Sequence, residues 1–115
     1  MKVFNYRDVE AELKQENIKT GVRWLITQEM GAENFSMRLI EMDPGGQGRP
    51  HSHPWEHEVF VLEGRGSIKG EEEREFGDGD VIFIPPNESH HLKNIGDKTL
   101  KFICIIPILK EEPIG

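Results

Sequence analysis

The chain has 115 residues and a mass of 13.2 kDa, which is the length of one domain. Acidic residues outnumber basic residues by 21 to 14, and the resulting net charge of −7 argues against a nucleic-acid partner and against an anionic membrane surface. No apolar run reaches the roughly 18 residues that a membrane span needs, and one cysteine excludes an intrachain disulfide framework. We therefore expect a single cytoplasmic domain over residues 1–115.

The N-terminal residues give the weakest structural pattern. Residues 6–16 (YRDVEAELKQE) are compatible with one or two helical turns, with Asp8 as the N-cap. From Gly21 onward, apolar and polar residues alternate with the period of two that is typical of β-strands. The pattern predicts a short N-terminal extension followed by a barrel over roughly residues 21–109.

The rest of the chain reads as a series of short strands. In chain order the strand-like segments are GVRWLIT, NFSMRLIEM, EVFVLE, DVIFI, HHLKN and LKFICIIPIL. Turn-forming Gly, Pro, Asn or Asp residues separate them, and the acidic run at residues 71–73 predicts a solvated hairpin tip. Strands at a spacing of roughly 8–12 residues indicate an all-β sandwich or barrel.

The five histidines are confined to two short segments, HSHPWEH and SHH. His51 and His53 are two residues apart, so on a strand both imidazoles would face the same side and could chelate one ion. A turn would bring His57 back towards them, and His90 begins a later strand. Imidazole is a common ligand for divalent transition metals, so these four side chains predict a metal site.

Two spaced motifs surround these histidines. The pattern Gly-x5-His-x-His-x3-His-x6-Gly runs from Gly45 to Gly64, and Gly-x5-Pro-x-Asn-x2-His-x3-Asn runs from Gly79 to Asn94. Both resemble the two motifs of the cupin superfamily, except that Asn87 replaces an internal glycine. Asparagine also tolerates the left-handed backbone of such a turn. The resemblance implies a double-stranded β-helix, or jelly roll, with a metal inside the barrel.

One position of the first motif, usually glutamate, can be assigned in two ways. His57 follows His53 after three residues and leaves six before Gly64, which satisfies both halves of the motif. Glu58 follows after four residues and leaves only five. The spacing favours His57, although strand parity does not decide, because residues 59–62 are all apolar. The result resembles small bacterial and archaeal single-domain cupins with HSHPWEHE, and implies the ligand set His51, His53, His57 and His90.

The resemblance also implies which metal the site would hold. All-histidine cupin sites often hold manganese, so Mn²⁺ is expected first, with Fe²⁺, Zn²⁺ and Ni²⁺ as alternatives. Four neutral imidazoles leave the charge of the ion uncompensated and about two coordination positions open, which favours anionic ligands. Since only neutral imidazole binds metal, binding is expected to weaken as the pH falls through the histidine range near 6.5.

Several other side chains are candidates for the wall of the cavity. If Lys101 faces solvent, parity places Phe102 and Cys104 in the interior. Trp55 caps the mouth of the cavity or packs against the turn. The orientation of Met37 and Arg38 is left open by the sequence.

Two classes of function are compatible with these features. The first is a metal-dependent enzyme, of oxidoreductase, dioxygenase or isomerase type, that acts on a small organic acid or a sugar-derived substrate. The alternative is a non-catalytic cupin that binds a small ligand or a metal, or a structural cupin with an incidental metal. We further expect a homodimer, in which residues 1–27 pack against a second subunit and the apolar face formed by Phe60, Leu62, Ile103 and Ile105 is buried.

Overall fold

The computed structural model describes residues 1–14 and 16–109, which form nine β-strands and two short 3-10 turns. The strands are β1 (Glu12–Leu13), β2 (Ile18–Ile26), β3 (Phe35–Gln47), β4 (His57–Glu63), β5 (Gly66–Lys69), β6 (Glu73–Phe76), β7 (Val81–Ile84), β8 (His91–Asn94) and β9 (Leu100–Pro107). The turns are Tyr6–Asp8 and Gln28–Met30. In these ranges, no helix has the length and apolar character needed to cross a membrane.

The strands form one curled antiparallel sheet in the order β6-β5-β8-β3-β9-β4-β7, with β2 also paired to β3 and β1 to β2. Strand β3 connects the two halves of the sheet. Most of it pairs with β2 and β9, whereas its last residue, Gln47, pairs with Lys93 of β8. Near that end, Gly45 has a φ of 82°, a left-handed conformation that favours glycine. The expected all-β jelly roll is confirmed.

The core lies between the two halves of the sheet. Its buried apolar side chains are Met42, Val59, Val61, Phe76, Leu92, Leu100, Phe102 and Cys104. On β9, Phe102 and Cys104 face this core, while Lys101 forms an ion pair with Glu63 at 3.2 Å. The parity predicted for this strand is therefore confirmed. The acidic hairpin tip is confirmed as well, since residues 71–73 are exposed at the turn from β5 into the first residue of β6.

Two asparagines of the second motif have structural roles. Asn87 adopts the expected left-handed backbone, with a φ of 69°. The buried Asn94 amide donates hydrogen bonds to the carbonyl oxygens of Met42 and Lys98, both at 2.8 Å, and its own oxygen accepts one from the Gly96 N–H. Because one side chain satisfies three backbone groups, it links β3 to the turn before β9.

The helical turns predicted for residues 6–16 are wrong. A 3-10 turn covers only Tyr6–Asp8, and Asn5, rather than Asp8, caps it by accepting a hydrogen bond from a backbone N–H two residues later. The chain then enters β1, which pairs with β2. Pairing with the sheet therefore overrides a weak local helical preference, and the sheet begins earlier than the expected residue 21.

The outer side of β9, β4 and β7 is also apolar. We call it the outer apolar face, and it comprises Phe60, Leu62, Val81, Phe83, Ile103 and Ile105. Phe60, Phe83 and Val81 are 46%, 59% and 74% exposed. The N-terminal segment contacts the neighbouring polar part of this sheet, where the Lys101 ammonium lies 3.4 Å from the Tyr6 hydroxyl.

Candidate metal centre

Backbone pairing brings the two histidine segments together. His51 and His90 form an isolated antiparallel bridge, in which each backbone N–H donates to the carbonyl of the other, at 3.1 and 2.9 Å. His57 is the first residue of β4 and points into the barrel. A further hydrogen bond from the Asn87 N–H to the His53 carbonyl, at 2.6 Å, fixes the intervening turn.

Four imidazole rings gather at this bridge. The His90 ring lies 4.5 Å from that of His51 and 5.1 Å from that of His57, measured between centroids. The His53 ring lies 4.8 Å from His51 and 5.3 Å from His57. One nitrogen from each of His51, His57 and His90 lies within 4.8 Å of the other two, so these three residues form a group that could hold a metal ion.

Hydrogen bonds from Nδ1 to backbone carbonyls orient two of these rings. His51 Nδ1 is 2.7 Å from the Arg49 carbonyl oxygen, and His90 Nδ1 is 2.9 Å from that of Glu88. Because carbonyl oxygens only accept, both Nδ1 atoms carry the proton and both Nε2 lone pairs are free for a metal. This arrangement is the one that metal-binding histidines usually show.

His57 also has a partner at Nδ1, but this partner is a sulfur atom rather than a backbone carbonyl. Its Nδ1 lies 3.4 Å from the Cys104 sulfur, while its Nε2 is buried and has no partner among the described residues. An unpartnered buried nitrogen is costly. A metal ion bound to Nε2 would satisfy this nitrogen. The histidine cluster therefore fits a bound metal ion.

His53 is held differently from the other three. Its ring stacks on Trp55 with a centroid distance of 4.4 Å and an angle of 5° between the planes. The group of three nitrogens does not include it. His53 therefore lies beside the group of three, and its role as a fourth ligand stays a prediction.

Glu58, the other candidate for the glutamate position, points away from the cluster. It is exposed on the outer side of β4, between Phe83 of β7 and Ile105 of β9. His57 is only 5% exposed and faces the barrel interior. Of the two possible assignments of this position, only His57 lies at the cluster.

A cavity of about 100 Å³ extends from the histidines into the barrel. Its wall includes His51, His57 and His90 together with Phe102 and Cys104, the two wall residues expected from strand parity. Trp55, the third candidate, does not line this cavity, because its ring packs on His53 instead.

Arg38 is a cavity residue whose orientation the sequence left open. Its register partner on β9 is Cys104, so both side chains share the inner face of the sheet. The Arg38 Nη2 donates to the Cys104 sulfur at 3.0 Å, and its Nε is buried without a partner among the described residues. Met37 and Leu39 on the other face of this strand are apolar, but so is Ile40 on the face of Arg38, so alternation alone left the orientation open.

The environment depresses the basicity of three of the histidines. Burial, followed by the charges of His90 and Arg38, lowers the pKa of His57 to about 3. Burial also lowers the pKa of His90 and of His53. The rings therefore stay neutral, and competent to bind a metal, at lower pH than an ordinary histidine.

This depression predicts acid sensitivity in the metal-free protein. Below about pH 6.5 the unfolded chain protonates His57 while the folded chain does not until about pH 3, so the free energy of unfolding decreases as the pH falls through this window. The decrease is at most about 1.4 kcal/mol per pH unit for one group. We expect thermal unfolding of the chelator-treated protein between pH 7 and 4.5 to be more pH-dependent than that of His57→Gln. Equal pH dependence in the two proteins would contradict this assignment.

The jelly-roll barrel with inward-facing histidines defines a cupin. Residues 38–106 match the family Cupin_2, described as a cupin domain, and the chain belongs to this family. It is 41% identical over 56 residues to an uncharacterized protein of Methanocaldococcus jannaschii, covering 47% of this chain and 45% of that protein. It is 28% identical over 78 residues to a 1-methylthio-D-xylulose 5-phosphate methylsulfurylase of Rhodospirillum rubrum, covering 67% and 50%. The chain thus spans about half the length of these relatives.

Solved structures extend the comparison over nearly the whole chain. The polyketide cyclase RemF of Streptomyces resistomycificus superimposes with a TM-score of 0.89 and 33% identity, covering 97% of this chain and 82% of that one. A predicted oxalate decarboxylase of Thermotoga maritima superimposes with a TM-score of 0.79 over 94% and 100% of the two chains. Its identity is 24%, so this second likeness shows the fold alone.

Proposed function

We propose that this cupin is a metal-dependent enzyme that acts on a small organic acid containing a carbonyl or hydroxyl group. The observation that carries the proposal is the buried, unpartnered Nε2 of His57 beside two other imidazoles whose Nδ1 protons are already engaged. Such an arrangement is prepared to bind an ion and leaves room for a ligand in the adjoining cavity of about 100 Å³.

The proposed ion is Mn²⁺, with Fe²⁺, Zn²⁺ and Ni²⁺ as alternatives, bound by His51, His57 and His90 and completed by His53. When bound, it supplies Lewis acidity towards an oxygen donor of the substrate. Neutral imidazoles leave its charge uncompensated, which supports an anionic substrate. Apolar side chains, including Val59 and Phe102, form much of the remaining wall of the cavity.

The residues of the cavity favour enolisation or oxidation over hydrolysis. Among its described lining residues there is no aspartate or glutamate, the side chains that most often activate water beside a metal. The similarity to a protein described as a polyketide cyclase supports an enzymatic role on this barrel. The volume of the cavity in this chain favours a substrate of only a few non-hydrogen atoms.

The alternative is a non-catalytic module that binds a metal or a small ligand. The lack of a carboxylate base in the described wall of the cavity favours this reading. The binding module would hold a ligand without converting it, whereas the enzyme would show turnover.

The test combines metal analysis with a search for turnover. We expect about one divalent ion per chain, and slow exchange of the α-hydrogens of small 2-oxo acids in deuterated water, or oxygen consumption with the Fe²⁺ form. His57→Ala should lose both the metal and the activity, and Glu58→Ala should lose neither. Full metal occupancy with no exchange and no oxygen uptake would favour the binding module.

A further inference from the structure

The guanidinium of Arg38 is an unusual group to find inside the barrel. It lines the same cavity as the histidines, and its Nη2 donates to the Cys104 sulfur at 3.0 Å. Its carbon lies 5.4 Å from the centroid of the Trp24 ring. A thiol is a weak acceptor and an aromatic face is a weak counter-charge, so neither neutralises the cation well.

Arg38 lacks a carboxylate partner in the described part of the chain. It belongs to none of the ion pairs there, and the described wall of the cavity contains no acidic side chain, whereas it includes a second cation, Lys14. The buried Nε has no hydrogen-bond partner at all among those residues. A partly buried cation with unused donors is costly, and a bound anion would satisfy both its charge and its donors.

The position of Arg38 relative to the histidines limits the size of that anion. Arg38 Nη2 and His57 Nδ1 lie 3.0 and 3.4 Å from the same sulfur atom of Cys104, so the two nitrogens are no further apart than these distances together. Arg38 also lines the same cavity as His51, His57 and His90, so one small molecule in it can contact the guanidinium and the imidazole cluster at once. The cavity volume of about 100 Å³ agrees with that size.

We infer that Arg38 recognises the carboxylate of a small organic acid whose second oxygen donor reaches the histidine cluster. This assignment rests on the proposed function, because it names the substrate class and the residue that selects it. The planar guanidinium offers parallel N–H donors that match the two carboxylate oxygens, which an ammonium group does not. The chemical class is a 2-hydroxy or 2-oxo acid.

The experiment measures charge selectivity by calorimetry. Glycolate and its neutral counterpart glycolamide have nearly the same shape, so their ratio of affinities reports recognition of the carboxylate. For the Mn²⁺-loaded protein we expect glycolate to bind at least about tenfold more tightly than glycolamide. In Arg38→Met, glycolate affinity should fall by about 10- to 100-fold, glycolamide affinity should stay unchanged and the metal content should be preserved. Arg38→Lys should recover only part of the selectivity.

Arg23 provides a matched control on the neighbouring strand. Its guanidinium lies on the other face of the sheet, where it forms an ion pair with Glu41. Arg23→Met removes the same charge from the chain and should leave both affinities unchanged. Equal loss for acid and amide in Arg38→Met would indicate a merely structural role and overturn the inference, as would an absence of selectivity in the wild type.

These outcomes separate the inference from the proposed function. Selective glycolate binding that depends on Arg38, without any turnover, would support the assignment of Arg38 and count against the enzyme. Should the protein bind no metal, the same titrations on the metal-free protein decide the question, because Arg38 is part of the fold itself. Loss of selectivity with turnover intact would overturn only the assignment of Arg38.

Discussion

Replacing His57 with alanine is expected to abolish stoichiometric metal binding, whereas replacing Glu58 with alanine leaves it intact. His57 is buried at the cluster and its Nε2 has no other partner among the described residues. Glu58 is exposed on the opposite side of the same strand. Loss of a side chain that only orients a metal-ligating residue weakens metal binding by about 10- to 100-fold. Loss of a metal-ligating side chain itself should weaken metal binding by more than that.

The measurement is metal content by elemental analysis after dialysis, followed by titration of Mn²⁺ into the stripped proteins. His57→Gln serves as a second variant that fills the space better than alanine if the cavity destabilises the fold. Circular dichroism shows whether each variant remains folded. An empty site in Glu58→Ala together with a full site in His57→Ala would show that the motif has been aligned incorrectly.

His53 is expected to contribute less than His57. It lies outside the group of three nitrogens, and its ring is stacked on Trp55. As the fourth ligand it must change position, so His53→Ala should weaken Mn²⁺ binding without emptying the site. The same titration distinguishes this graded loss from the complete loss expected at His57.

Strand β4 shows which features of the histidine cluster could be predicted from the sequence and which could not. Motif spacing predicted His51, His53, His57 and His90 as ligands, because the spacing follows from strands and turns that bring them together. The structure groups three of them and leaves His53 beside that group. Alternation alone did not show which side of β4 faces the interior, because Val59 and Val61 on one side are as apolar as Phe60 and Leu62 on the other. The structure resolves this through register, which places Val59 opposite Cys104 in the core.

The orientation of the Arg38 side chain could not be determined from the sequence for the same reason. An arginine on a strand is ordinarily expected to face solvent. Nothing local to β3 indicates that this one points inwards, because the decisive facts are its pairing with Cys104 and the lack of an acidic side chain among the described residues of the cavity wall. Both depend on residues far away along the chain. Residues 12–13 form a strand rather than a helix for a similar reason, because they pair with β2.

A homodimer that buries the outer apolar face is the second large expected effect. The large side chains of the outer apolar face are substantially exposed in one chain. Monomeric proteins rarely expose such a contiguous apolar patch to solvent. A twofold interface must be complementary to itself. Glu58 lies within this face, but its other residues named above are apolar. On a chain of net charge −7, a mainly apolar face meets this condition better than a strongly acidic face, which would repel its own copy.

The N-terminal segment adds to this expectation. Residues 20–27 are buried or half-buried, so within residues 1–27 the side chains left exposed for a partner precede residue 20. Val3 is 91% exposed and Phe4 is 43% exposed. We expect them to cover the edge of the outer apolar face of the second copy.

Phe60→Asp is expected to dissociate this dimer. The substitution removes a large aromatic contact and places two carboxylates near each other at a twofold interface, so the dissociation constant should rise by at least about 100-fold. Sedimentation at micromolar concentration should show about 26 kDa for the wild type, twice the chain mass, and about 13 kDa for the variant. Ile95→Asp is the matched control, since Ile95 is 39% exposed in the turn after β8, away from this face, and should leave the dimer intact. A wild-type protein that sediments only as the 13.2 kDa chain would exclude the interface, and the apolar face would then require a different partner.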